Sequence, residues 1–191
     1  MAPSQVNYVV PSGVQPGPAT LTVTSGSGSK TTGIVFIAPV APGLYSANAD
    51  GQGPAAAIAV CAGTCTGWPA AGKSNGQYFQ NTFTCPTGAG SCIAQPIRID
   101  SGDTVVVELY GTGVRHLAST SALGLQINGQ NVSLENVTYV GAQGADKGLD
   151  QINVQIPPNF AGSGQANVVL TLQDTVDNIT VTSNTVTLNF Q

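Results

Sequence analysis

Charge is scarce in this chain. Lys, Arg, Asp and Glu together make up 7% of its residues, against about 25% in an ordinary soluble domain. Five bases against nine acids leave a net charge of −4. Without a basic stripe to neutralise phosphates, the chain is not expected to bind nucleic acid. Histidine occurs once, as His116, so any Ser-His-Asp or Cys-His machinery has a single candidate. No G-x-S-x-G elbow accompanies it. Apolar runs stay far short of the ~18 residues that cross a bilayer as a helix, so no membrane span is expected. The opening MAPSQVNYVV has neither a basic region nor an apolar core of signal-peptide type, and none is expected there. Finally, no stretch keeps an i, i+3, i+4, i+7 apolar stripe for three turns, which argues against a helical architecture.

What the chain does have is β-branched and turn-forming residues. Of 191 residues, 41% are hydrophobic, 24 are Gly and 12 are Pro. That length and apolar content suffice to bury a core. Short alternating runs are cut by turn signals throughout: Val6–Val10, Thr20–Thr24, Ile34–Ile37, Thr104–Tyr110, Val137–Val140, Leu149–Ile156, Ala166–Leu172 and Ile179–Phe190. Leu123–Asn128 and Gln130–Leu134 meet across Asn128-Gly129, a pair suited to a two-residue hairpin because both residues tolerate positive φ. Pro54–Val60 is alanine-rich and could open a two-turn helix, but the flanking glycines leave little room, and a strand is the preferred reading. The pattern predicts an all-β sandwich of about nine to twelve strands.

Two segments repeat. Gln5-Val6-Asn7-Tyr8-Val9-Val10-Pro11 and Gln151-Ile152-Asn153-Val154-Gln155-Ile156-Pro157 share Q-[VI]-N-x-x-[VI]-P. Each is followed by a Gly-containing turn, a Thr/Val strand and a last strand, Gly33–Ile37 in one copy and Asn184–Phe190 in the other. This order reads as the closing half of a sandwich module written twice. The expected division is therefore a partial repeat over residues 1–40 and a complete domain over 41–191, with a cysteine-bearing insert at about 61–95. Forty residues are too few for an independent core, so the partial repeat is expected to pair with neighbouring modules of a parent protein or with another copy of the chain.

Three motifs, Ala41–Asn48 with Gly51–Ala57, Leu109-Tyr110-Gly111-Thr112-Gly113-Val114-Arg115, and Gly148-Leu149-Asp150-Gln151-Ile152-Asn153-Val154, resemble a C-terminal domain found on large secreted proteins of Solibacter-type acidobacteria. The resemblance covers nearly the whole chain. Residues from about Asp100 to Gln191 are similar, more weakly, to immunoglobulin-like IPT/TIG domains, in a strand ending G-T-G, an N-G hairpin and a last V-T-L strand. These resemblances imply an immunoglobulin-like sandwich exported from a bacterium, and no activity. The cysteine segment is longer here than in that family, with Cys61 and Cys65 additional.

The cysteines are Cys61, Cys65, Cys85 and Cys92. Spacing favours Cys61–Cys65 and Cys85–Cys92 as disulfides, fitting an extracellular or cell-surface setting. Free thiols and a four-thiolate zinc site are the alternatives, although no histidine lies nearby to help a metal site. Asp100/Asp103, Asp146/Asp150 and Asp174/Asp177 flank turn sequences. Turn chemistry is expected at each, with calcium the alternative, although no D-x-D-x-D-G loop is present. Glu108 should point outward within TVVVELY, or take Arg98 or Arg115 as partner if buried. The G-x-G matches at 51–53 and 111–113 lack a βαβ setting and read as turns. Three N-x-S/T sequons begin at Asn131, Asn136 and Asn178. They would stay bare in a bacterial protein and could carry glycans in a eukaryotic secretory pathway.

Trp68, Tyr78, Phe79 and Phe83 cluster in the cysteine segment. They are the candidate ligand-binding residues, for carbohydrate if their ring faces are exposed, or a small satellite core if not. No cofactor is expected. The preferred function is a non-catalytic structural or interaction module of a larger exported or cell-surface bacterial protein. Two alternatives are a carbohydrate-binding module using the aromatic insert and a hydrolase built around His116.

Overall fold

The computed structural model describes residues 6–191. The chain falls into two compact units, Met1–Pro39 and Val40–Gln191. Unit 1 holds β1 (Gly17–Thr24) and β2 (Lys30–Ile37), an antiparallel hairpin in register from Gly17↔Ile37 to Thr24↔Lys30. Its turn closes through Ser25 and Ser29, the Ser25 amide donating to the Ser29 carbonyl and the Ser29 amide to the Ser25 hydroxyl. The sequence pattern also predicts a strand at Val6–Val10, and the structure corrects this: residues 6–11 form no strand. The second copy of the motif lies within a strand paired on both sides. The described part of unit 1 contains no strands equivalent to those neighbours, so the first copy has no ladder to join. Gln5 of the motif lies outside the described residues.

Unit 2 begins with β3 (Gly43–Leu44), β4 (Ala57–Ala62), β5 (Lys73–Ser74), β6 (Gln77–Asn81), β7 (Phe83–Thr84), β8 (Ile93–Ala94) and β9 (Pro96–Ile97). It continues with β10 (Thr104–Thr112), β11 (Leu123–Ile127), β12 (Gln130–Asn131), β13 (Val137–Ala142), β14 (Asp150–Gln155), β15 (Gly164–Asp174), β16 (Ile179–Thr182) and β17 (Val186–Phe190). One sheet runs β13-β14-β10-β4-β6-β5, with β3 pairing the far end of β10. The other runs β12-β11-β15-β17-β9, with β16 on β15. Pairing is antiparallel except β17 with β9, and β7 and β8 form a separate ribbon. Among the described residues helix is confined to single 3₁₀ turns, so none is long and apolar enough to cross a membrane. Ala57–Ala62 is a strand, as its flanking glycines predicted.

Alternation decides which face of each strand is buried. Val105, Val107 and Leu109 of β10 and Ile152 and Val154 of β14 are buried from one sheet. Leu123, Leu125 and Ile127 of β11, Val168, Leu170 and Leu172 of β15 and Leu188 and Phe190 of β17 are buried from the other. All belong to one hydrophobic cluster. The described chain is thus all-β, and unit 2 sets two larger, mainly antiparallel sheets on a common core, compatible with a β-sandwich. Asn128 and Gly129 take φ of 50° and 74°, as the predicted turn requires. The long run Ile179–Phe190 is broken in two, because Ser183 intervenes: its hydroxyl accepts the Leu170 amide and donates to the Asn184 carbonyl.

Two glycines let the start of unit 2 approach β10. A Cβ on Gly111 would stand 2.2 Å from the Gly43 carbonyl oxygen, and one on Gly113, at φ +77°, 1.9 Å from that of Ala41. Gly113→Ala therefore meets both a steric clash and an unfavourable backbone conformation. It is expected to lower unfolding free energy by more than about 1 kcal/mol, measured by urea denaturation, whereas Gly129→Ala, with open space around it, keeps only the backbone penalty.

Candidate functional site

Two disulfides each close a short loop of the cysteine-bearing insert. Cys61–Cys65 and Cys85–Cys92 are both closed, in the pairing that the spacing favours. Their sulfurs are therefore bonded to one another rather than held as four free thiolates. Cys61 and Cys65 lie beside Asp103, whose carboxylate accepts the amides of Thr64 and Cys65 at 2.8 and 3.0 Å. That carboxylate organises the disulfide loop.

The four aromatics do not form a common ligand platform. Trp68 is 7% exposed and belongs to the core, its indole N–H donating to the Arg98 carbonyl. A ring buried this way cannot stack on a sugar. Tyr78, on β6, is half-buried against the core, and the Lys73 ammonium lies 4.8 Å from its ring centroid and donates to its hydroxyl. Phe79 and Phe83 are half-buried on β6 and β7. Trp68 and Tyr78 thus pack with the main core of unit 2 rather than in a satellite core of the insert.

Four of the six turn-flanking carboxylates, those of Asp100, Asp103, Asp150 and Asp174, serve the backbone or an arginine. Asp174 is buried, and one of its oxygens accepts the amides of Val176 and Asp177. The Asp103 amide donates to the Asp100 carbonyl, closing a turn, while the Asp100 carboxylate pairs with exposed Arg98 at 2.7 Å. Asp150 does more. It is 0% exposed, and it accepts the amides of Val114 and Arg115 and the Arg115 Nε, the last at 2.6 Å. Arg115 also donates to the Leu149 carbonyl. The three motifs quoted for the family resemblance converge here: the Ala41 amide donates to the Gly113 carbonyl, the Tyr45 amide to the Tyr110 carbonyl, and Asp150 closes the third side.

Glu108 is a half-buried residue whose partner differs from both arginines considered from the sequence. Its carboxylate accepts the Tyr110 hydroxyl at 3.0 Å, because alternation sets residues 108 and 110 on one face. His116 lies exposed just past this corner, next to an arginine already committed to Asp150.

Sequence reasoning overlooked an open surface depression in unit 2, lined by Asp50, Gln52, Asn167, Asn184, Thr185 and Thr187 with Gly51 and Gly53. Its one signal in the sequence is Gly51-Gln52-Gly53, where both glycines take positive φ and turn the loop over β17. Asn184 pins that loop, donating to the Gly51 and Leu44 carbonyls and accepting the Leu44 amide. The Thr187 amide donates to the Gly53 carbonyl. Comparisons with protein-family models, curated proteins and solved structures return no match to this chain.

Removing one partner of a buried pair leaves an uncompensated charge. Asp150→Ala is accordingly expected to destabilise the protein by about 3–5 kcal/mol, read from chemical denaturation. Tyr110 supplies a pH signature: burial first, and then the hydrogen bond to Glu108, push its hydroxyl up to about 12. A phenol that ionises later in the folded state favours folding below its unfolded value of 10.0, and that contribution is lost as pH rises toward 12. Absorbance titration should show one late-ionising tyrosine, and Glu108→Gln should move it back toward the ordinary range.

Proposed function

We propose that this chain is a non-catalytic structural and interaction module of a larger exported or cell-surface bacterial protein, built from immunoglobulin-like sandwich repeats. Residues 1–40 are the closing strands of one repeat, and residues 41–191 are a whole one. The observation that carries this reading is the correspondence of two hairpins. In unit 1, Gly17↔Ile37 and Ala19↔Val35 are register partners. In unit 2, Gly164↔Phe190 and Ala166↔Leu188 are. With these pairs aligned, the buried residues Ala166, Val168, Leu170, Leu188 and Phe190 correspond to Ala19, Leu21, Val23, Val35 and Ile37, all apolar and on one side of the unit 1 hairpin, while buried Val186 corresponds to Gly33.

In unit 2 that hairpin is flanked by β11 on the β15 edge and by β9 on the β17 edge. Among the described residues of unit 1, β1 and β2 form a two-stranded sheet of their own. A two-stranded hairpin alone is marginally stable in water, so its open edges and apolar face suit a neighbouring module or another copy of the chain. Ile34 and Phe36, on the opposite face, are 84% and 67% exposed. The disulfides are compatible with an oxidising compartment, and the family resemblance supports an acidobacterial exported protein. The non-catalytic part of the proposal draws on the occupied Arg115–Asp150 pair and on the exposed loop position of His116. Burial of Trp68 disfavours the carbohydrate-binding alternative at the aromatic insert.

If the unit 1 hairpin is an interaction element, the isolated chain should self-associate reversibly with concentration in sedimentation velocity. The double variant Leu21→Asp with Val35→Asp should be monomeric while the body remains folded. A wild-type chain that stays monomeric throughout, with the amides of residues 17–37 exchanging at unprotected rates, would remove this reading.

A further inference from the structure

Asparagine followed by glycine occurs twice in this chain, at Asn75-Gly76 and Asn128-Gly129. Each pair forms a two-residue hairpin turn, one joining β5 to β6 and the other β11 to β12. All four residues take positive φ, 49° and 79° in the first turn and 50° and 74° in the second. All four are also exposed. The two turns differ in what holds the asparagine. The Asn128 Oδ1 accepts the Asn167 amide at 2.8 Å, and the Asn128 amide donates to the Asn167 carbonyl. Asn167 belongs to β15, which pairs with both β11 and β17. Among the described residues no hydrogen bond engages the Asn75 side chain. Its turn hangs from β5, a strand of two residues at the edge of its sheet.

We propose that Asn75 is a site of spontaneous covalent modification, at which the folded chain converts asparagine into aspartate and isoaspartate. The Gly76 backbone nitrogen attacks the Asn75 side-chain carbonyl carbon and forms a C–N bond, closing a succinimide ring. The bond from that carbon to Nδ2 breaks, and the proton of the Gly76 amide leaves with Nδ2 as ammonia. Water then opens the ring at either carbonyl, and nothing is oxidised or reduced. Glycine lacks the Cβ that would crowd the attacking nitrogen, and every other asparagine in the chain precedes a residue with a side chain. The side chain must swing over the following amide, which the turn permits only when it opens locally. A short edge strand opens at little cost. At Asn128 the bond to Oδ1 and the ladder to β15 must break first. Either product adds a negative charge to a chain of net charge −4. Isoaspartate also lengthens the backbone of the turn by a methylene, so the Ser74↔Gln77 register has to shift. This inference does not depend on the role proposed for unit 1.

The test is to age the folded full chain, disulfides intact, in mildly alkaline buffer and to map its peptides by mass spectrometry. The Asn75 peptide should gain OH in place of NH2, in two chromatographically separable forms. It should do so at least about fivefold faster than the Asn128 peptide, the ratio that one hydrogen bond is worth. In the reduced chain unfolded in guanidinium the two rates should draw together, because only the shared Asn-Gly sequence remains. Asn75→Gln should remove the fastest-forming acidic species on isoelectric focusing. Conversion of Asn128 as fast as Asn75 in the folded chain would overturn the proposal. So would an Asn75 that stays intact in the folded chain over a period in which the unfolded chain converts.

Discussion

The corner closed by Asp150 is the constraint on which much of unit 2 depends. A carboxylate with no exposure is stable only where hydrogen bonds replace its hydration. Here they come from the Val114 and Arg115 amides and from the Arg115 guanidinium. The pair ties the exit of β10 to the entry of β14. The same corner admits β3, because Gly111 and Gly113 leave room for the backbone of residues 41–44. Three stretches distant in sequence are therefore held at one end of one sheet by a single buried charge and two missing side chains.

The two hairpins show how one sequence pattern has different consequences in different surroundings. In unit 2, the Q-[VI]-N-x-x-[VI]-P motif lies largely in β14, between β10 and β13. Its β15–β17 hairpin buries an apolar face in the core. In unit 1, the described residues of the motif form no strand, yet the hairpin that follows keeps the same register and the same apolar side. Local alternation and a tight turn are enough for a hairpin. A strand whose ladder depends on both neighbours needs those neighbours to be present.

Much of the fold was legible because period-two alternation and turn residues are local signals. The strand at Thr104–Thr112, the Asn128-Gly129 turn and the two short disulfide loops all follow from neighbours in the chain. The site was far less legible. Trp68 reads in sequence as an aromatic beside polar turns, and only packing beneath the insert makes it core. Glu108 reads as a partner for arginine, but both arginines answer to nearer carboxylates, Asp100 and Asp150. The open depression joins residues 50–53 to Asn167 and 184–187, and nothing in any one of those segments announces the others.

By itself, then, the sequence determined the β class, most of the longer strands and the scarcity of charge that argues against phosphate-binding partners. These depend on composition and on spacing within a few residues. Tertiary structure decided which carboxylate is buried and which is exposed, which aromatic becomes core, and which of two matching Asn-Gly turns has its asparagine side chain bound. Those outcomes depend on what the opposite strand and the crossing loop bring within about 3 Å, the reach of a hydrogen bond.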